Sequence, residues 1–490
     1  VSEPLCPLAR RFFRLAQADP GAPAFLDADG QLLSPRGLLA QQAQAVAEAY
    51  QRSSLPPRPV VLSLPNGPAL VAHLLALRTL GRPVVLADAT FTQGELERAA
   101  HTVGAGAVVA NEERLGQGVT LPPQGVAMAA LDARPRKLPR GTALCKLSSG
   151  STGEPQAFAV SVAQLVADSR HIFRTMGIRK NHRTLAAIPL THSYGLGSCL
   201  VPLLLWGTPL VLPSCNLPAA LAHTLAAAAV QHFPAVPAMI RALAALPHLP
   251  PWPALQVCLA AGAPLAPGDA KAFAAATGHK VHVFYGSSEC GGITYDRTPE
   301  GVHEEGAVGT PLDGVTVEVV DEAGRVLPPG EEGRVRVRSR AVVLGAVPPL
   351  ADPRVLTPGC FLAGDGGFFD ARGVLHLTGR LSEIVNVAGK KVHPEEVRRV
   401  LAAMPGVLEA AVVGVPDRHR GQVLGAVLAV DPEGGVTVHK VMAYCRARLA
   451  PYKVPRRVVL VPELPTSARG KVPKKELLAL LSKKSTQREG

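Results

Sequence analysis

The sequence predicts an α/β protein with a large N-terminal domain and a small α+β C-terminal domain. The large domain is expected to hold parallel-rich sheets with helices, plus a small antiparallel sheet or barrel. Three observations lead there. Strand-like apolar runs alternate with helix-length segments over 60–110 and again over 184–289, the rhythm of a parallel sheet with crossover helices. Between 306 and 338 the apolar period shortens to two, as in antiparallel strands. Beyond Arg380 the chain reads as a compact mixture of helix and strand. We therefore expect domains 1–380 and 381–490, a division that the length of 490 residues accommodates.

In order, residues 4–18 put Leu5, Leu8, Phe12 and Leu15 on one helical face. Residues 24–33 read as a hairpin turning at Ala28-Asp29-Gly30. Ser34-Pro35 is expected to open a helix as N-cap and first helical residue. The runs VVLSL (60–64), VVLAD (84–88) and AVVA (107–110) read as strands with helices between them. A helix is expected over 162–176 and a strand over TLAAIPL (184–190). Helices follow at 218–230 and 237–246, and strands in LQVCLAAGAPL (255–265) and KVHVFYGSSE (280–289). TVEVVD, GRVLPPGEEG, RVRVRS and GVLHLTGR (373–380) read as antiparallel strands. In the last domain a turn at Ala388-Gly389, helices at 394–404 and 438–449, and strands at 410–415, 425–430 and 458–461 complete the pattern.

Composition narrows the function. Apolar residues make up 47% and charged residues 18%, which is globular and not disordered. Aromatics are only 4%, too few for a base-stacking platform. The net charge is +13, and residues 434–490 carry 13 basic against 3 acidic residues. Such a surplus suits nucleic acid, an anionic membrane or a small polyanionic substrate. Missing aromatics weaken the first. The most apolar run, 195–213, is broken by Pro202 and Pro209 and suits a buried helix–turn–strand better than a membrane span. Eight cysteines lack metal-ligand spacing, so free thiols in a reducing cytoplasm are expected. No signal-peptide pattern precedes the first helix.

The stretch LSSGSTGEPQ (147–156) packs Ser148, Ser149, Gly150, Ser151, Thr152 and Gly153 into one loop. Glycines let backbone N–H groups approach an anion, and the hydroxyls add donors. It is not a Walker-type loop, since no Gly-Lys-Ser/Thr closes it, and by itself it reads more readily as an ordinary loop. Its company matters more. Polar loops at 148–153, 191–195, 261–264 and 285–289 each follow a predicted strand, where ligands sit in open α/β sheets.

Seven segments occur in a recognisable order: SSGSTGEPQ (148–156), PLTHSYGLG (189–197), AAGAPL (260–265), YGSSE (285–289), AGD (363–365), GRLSEIVNVAGKKVHPEEV (379–397) and LPTSARGKVPKKEL (464–477). Together they resemble the adenylate-forming superfamily of acyl-CoA synthetases, adenylation domains and luciferases. The resemblance implies an AMP-forming acid–thiol ligase that uses ATP, Mg²⁺ and coenzyme A on a small carboxylic acid. It implies that Ser148 to Gly153 hold the β- and γ-phosphates. Tyr285 would lie against adenine, with Gly262, Ala263 and Pro264 on the other side, and Gly286, Ser287 and Ser288 beside the nucleotide. Glu289 would bind Mg²⁺. Asp365 would take the ribose hydroxyls, Arg380 would contact the nucleotide at the domain junction, and His192 would flank the acyl carboxylate. Lys471 would bridge that carboxylate and the α-phosphate. The C-terminal domain would be a mobile lid turning about Ser382, bringing Gly389 to line a channel for the phosphopantetheine arm.

Departures from the family pattern are Gln156-Ala157, where Lys-Gly is common, and Leu147 in place of tyrosine, phenylalanine or threonine. The rival readings are loading of a separate acyl carrier protein and a non-catalytic nucleotide- or acid-binding homologue. No nucleic-acid partner is expected, and the enzyme would be a monomer or homodimer. The acyl site is expected from segments 192–198, 233–237, 257–261 and 291–293, with Gly291-Gly292 leaving room beside the carboxylate.

Overall fold

A computed structural model describes all residues except 1–5, 54, 56, 116–117, 150–154, 299–303, 388–389, 418–420, 466–472 and 484–490. The chain divides into two compact units. The first is Val1–Glu318, Arg336–Leu362 and Gly373–Leu375; the second is Val319–Val335, Ala363–Arg372 and His376–Gly490.

Two large sheets build the first unit, each with a parallel centre and antiparallel rims. In the eight-stranded sheet, Leu144–Ser149, Val84–Leu86, Val60–Ser63 and Ala107–Asn111 run parallel as neighbours in that order. Val126–Ala130 and Val119–Leu121 extend one side, and Pro155–Val160 and Gly345–Val347 the other. The nine-stranded sheet runs Thr310–Pro311, Gly291–Tyr295, Val281–Ser287, Val257–Ala260, His232–Ala235, Thr184–Leu185, Leu210–Val211, Pro23–Leu26, Leu32–Pro35. Its five central pairings, from Val281–Ser287 through Pro23–Leu26, are parallel. Strands such as Val60–Ser63 and Val257–Ala260 are buried at every residue, because helices cover both faces of a parallel sheet. The Pro68–Thr79 helix is buried along almost its whole length, and apart from His73 and Arg78 its buried positions are apolar on every side.

The Val162–Met176 helix has the predicted bounds. Ser161 accepts from the Gln164 backbone N–H while Gln164 reaches back to Ser161, and Gly177 closes the end at φ 64°. Its buried stripe is Leu165, Asp168, Ser169, Ile172 and Met176. One member of that stripe is charged.

Three expectations need correction. Ser34-Pro35 lies in strand Leu32–Pro35, and the helix begins at Arg36 without a side-chain cap; edge pairing of Ser34 with Phe25 takes the serine instead. The strand expected over 184–190 stops at Leu185. Asn66 explains the stop: its Nδ2 donates to the carbonyls of Ala186 (3.0 Å) and Ile188 (2.8 Å), and its Oδ1 accepts from Leu190 N–H (2.8 Å). A side chain thus occupies the backbone groups that a neighbouring strand would use. GRVLPPGEEG supplies only an isolated bridge, Val320 to Val326. The other antiparallel readings hold in position, with a five-stranded sheet ordered Thr316–Val320, Gly333–Arg338, Cys360–Phe369, Leu356–Thr357 and Leu375–Arg380 set on Cys360–Phe369.

In the second unit, Val407–Asp417 and Gly421–Val430 form a long antiparallel pair, with Arg457–Val461 parallel to the latter. Helices Pro394–Ala402 and Val438–Arg446 bury Val397, Leu401, Val441 and Cys445 with Leu424 and Leu428 of that sheet. Leu477 and Leu481 of the Lys474–Lys483 helix pack in a separate cluster with Val415, Val427 and Val459. The expected turn at Ala388-Gly389 lies outside the described residues. Among the described residues, no helix is long and apolar enough to cross a membrane. All eight cysteines are free thiols.

Candidate functional site

The 147–156 stretch is a hairpin. Strand Leu144–Ser149 pairs antiparallel with Pro155–Val160, setting Ser148 opposite Gln156 and Ser149 opposite Pro155. Gly150, Ser151, Thr152 and Gly153 lie outside the described residues. Gln156 is committed elsewhere: its Nε2 donates to the Pro348 carbonyl at 2.6 Å.

The 189–197 and 285–289 segments meet. Ser193 Oγ donates to Ser288 Oγ at 3.0 Å, and the Tyr194 ring packs against Phe284 with centroids 5.8 Å apart. His192 precedes this contact, its Nε2 2.8 Å from Asp88 Oδ2. Asp88 also accepts from the Thr90 backbone N–H (2.8 Å) and hydroxyl (2.6 Å). The bond to His192, with help from Thr90, holds the Asp88 carboxyl well below the usual carboxylate range. Gly195 turns the chain where a Cβ would stand 2.2 Å from the Pro189 carbonyl oxygen.

Tyr285 is half-buried and pairs in register with Thr294. At Gly286 an added Cβ would lie 2.7 Å from the Gly291 carbonyl oxygen. Ser287 Oγ is 3.2 Å from Cys290 Sγ. Glu289 is half-buried, and its carbonyl accepts from Val343 N–H at 2.9 Å. Gly262, at φ 87°, Ala263 and Pro264 are exposed after strand Val257–Ala260.

In the second unit Asp365, on strand Cys360–Phe369, is ion-paired with Arg380 Nε at 2.9 Å. The two side chains are 11% and 55% exposed respectively. Ser382 falls in the short 3-10 turn Leu381–Glu383. Gly389 and Lys471 lie outside the described residues.

Three charged residues beside these segments escaped the sequence reading, Asp88 half-buried and Lys146 and Asp168 buried. Asp88 stands just past strand Val84–Leu86. Lys146 and Asp168 are only 4% and 7% exposed. Burial pushes Lys146 down and Asp168 up from their ordinary pKa values, each opposed by the charge of the other. Signals for the last two were present. A lysine interrupts the apolar strand LCKLSS, and an aspartate stands at a stripe position of the 162–176 helix.

Comparison with known proteins fits this geometry. The family described as AMP-binding enzyme matches residues 12–346, and its C-terminal domain matches 396–471. Oxalate–CoA ligase of Saccharomyces cerevisiae is 36% identical over 196 residues, which is 39% of this chain and 36% of that protein's length. The chain thus spans little more than a third of that curated relative. Feruloyl-CoA synthase of Amycolatopsis sp is 30% identical over 426 residues, covering 84% of this chain and 87% of that protein. ATP-bound MatB from Rhodopseudomonas palustris superposes with a TM-score of 0.84 at 25% identity, over 96% of this chain and 98% of that one.

Proposed function

The chain belongs to the AMP-binding enzyme family, and from that premise we propose that it joins a small carboxylic acid to coenzyme A through an acyl adenylate. The observation that carries the proposal is the Ser193–Ser288 hydrogen bond. It joins the loop that carries the Asp88-held His192 to the loop that carries Glu289, both in the first unit. The named CoA ligase and CoA synthase relatives support coenzyme A as the acceptor.

In the first step a carboxylate oxygen of the acid attacks the α-phosphorus of ATP. The bond from that phosphorus to the bridging oxygen breaks, and pyrophosphate leaves. The chain's part is to position and neutralise. Ser148 to Gly153 hold the departing phosphates, Tyr285 with Gly262, Ala263 and Pro264 holds the base, and Asp365 and Arg380 hold the ribose side. Gly286, Ser287 and Ser288 line the nucleotide. His192 orients the acyl carboxylate, and Asp88 fixes the imidazole. Lys471 offsets the charge that builds between carboxylate and phosphate. Glu289 is a half-buried oxygen donor, which fits the hard ion Mg²⁺. When bound, that ion supplies positive charge beside the phosphates.

In the second step the thiolate of coenzyme A attacks the acyl carbonyl, the bond to the AMP oxygen breaks, and AMP leaves. We place the domain boundary at 380/381, with Ser382 as the hinge that exchanges Lys471 for Gly389 between the steps. The basic surplus of 434–490 suits the phosphates of coenzyme A.

The test is acid-dependent pyrophosphate exchange across a panel of aliphatic and aromatic acids, followed by thioester formation with coenzyme A. Lys471→Ala is expected to abolish acyl-AMP formation while leaving thioester formation from pre-made acyl-AMP largely intact. Equal loss in both half-reactions overturns the two-step domain alternation, and no exchange with any acid overturns the function.

A further inference from the structure

Nothing in that chemistry uses Asp168 or Lys146, yet burying a carboxylate costs several kcal/mol unless it is paired and bonded. Asp168 Oδ1 accepts the Gly292 backbone N–H at 2.9 Å. A Cβ added at Gly291, where φ is +74°, would stand 2.2 Å from the same oxygen. At Gly197, in the π-helical turn Leu196–Leu200, it would stand 3.0 Å from Asp168 Oδ2. One carboxylate therefore fills the space beside two glycines and bonds the N–H of a third. The glycines come from two segments, 192–198 and 291–293, that are expected to wall the acyl site. Lys146, two residues before Ser148, supplies the opposing charge.

Building on the proposed adenylation, we infer that Asp168 is a positioning residue of the acyl site. Its carboxylate fixes the Gly291–Gly292 backbone against the 196–200 turn and so sets the width available to the acid. Lys146 balances the charge. The hydrogen-bond acceptor does the positioning.

The test removes both charges together, because both side chains are buried and the charge of each offsets the burial of the other, so that neither is left alone. In Lys146→Met/Asp168→Ala the acceptor is gone. KM for the acid is expected to rise about tenfold or more, the scale of one lost hydrogen bond, with KM for ATP within about threefold of wild type. Lys146→Met/Asp168→Asn keeps an oxygen acceptor without charge and is expected to restore KM for the acid to within about threefold of wild type. Gly197→Ala is expected to raise KM for the acid in the wild-type background and to have no further effect where residue 168 is alanine. Deuterium uptake by residues 290–295 is expected to quicken in the alanine double variant and not in the asparagine one.

An unchanged KM for the acid in the alanine variant, an equal rise for ATP, or failure of the asparagine variant to rescue overturns the inference. If the wild type itself shows no exchange with any acid, the adenylation reading falls instead, and the deuterium uptake alone decides whether Asp168 clamps Gly292.

Discussion

Asp88 and Asp168 are the same residue type in the first unit, one half-buried and the other buried, and the fold drives them in opposite directions. Asp88 gathers three donors, the His192 ring and two from Thr90, and its proton is held more weakly than usual. Asp168 has one backbone donor and Lys146 for company, and burial makes it hold its proton more tightly. The difference teaches that enclosure alone does not decide a carboxylate's state. The count of donors against desolvation does. It also separates two jobs. Asp88 orients a side chain expected to meet substrate, and Asp168 orients only backbone.

The harshest way to break the comparison is Lys146→Met alone. It takes away the buried positive charge that opposes the desolvation of Asp168 and is expected to give the largest loss of stability among the variants compared. Denaturant unfolding followed by Trp206 and Trp252, both in the first unit, reads this directly. An unchanged midpoint would mean that Asp168 is already neutral or finds another partner.

Asp88→Asn is expected to be milder, about 1.5–3 kcal/mol for charge-assisted bonds, and its pH signature differs in sign. Between its lowered folded value and the ordinary 3.8, the unfolded state binds the Asp88 proton better. Stability from Asp88 is therefore present above that range and lost as pH falls through it. Asp168 has a raised folded value, so its contribution is fully present below 3.8 and is lost as pH climbs through the raised value. Stability curves that start well below pH 3, where Asp88 still titrates in the folded state, should lose the acid-side rise in Asp88→Asn and lose the opposite fall in Lys146→Met/Asp168→Asn. Identical slopes in the two variants would erase the distinction.

The smallest effect is expected from Gln156→Lys. It gives up the bond to Pro348 and puts a second lysine beside the hairpin whose first lysine is spent on Asp168. Affinity for ATP should improve by about threefold, under 1 kcal/mol, in an equilibrium titration. A weaker affinity would show that the bond to Pro348 shapes the loop.

Most strands were legible because apolar runs such as VVLSL and AVVA need no partner to be recognised. The 162–176 helix was legible from its apolar spacing, and the structure adds the caps Ser161, Gln164 and Gly177 at its ends. What escaped is long-range. Ser34-Pro35 has the local chemistry of a helix start, and only pairing with Phe25 overrides it. The 186–190 backbone is bonded by Asn66, over a hundred residues earlier, so its composition alone reads as strand. Motif residues of the candidate site could be named from their order in the chain. Their supports could not, since Asp88 and His192 are 104 positions apart and Asp168 and Gly292 are 124.

The narrow clearance at Gly291 has a bearing on redesign. A library that randomises position 291 in search of a different acid would be almost entirely wasted, because every side chain lands on the Asp168 carboxylate. Variation has to begin at 168 and 146 together, clearing the space before anything is built into it. If position 291 borders the acid as proposed, a change of substrate range calls for a two-step mutational path whose first step clears the carboxylate beside it.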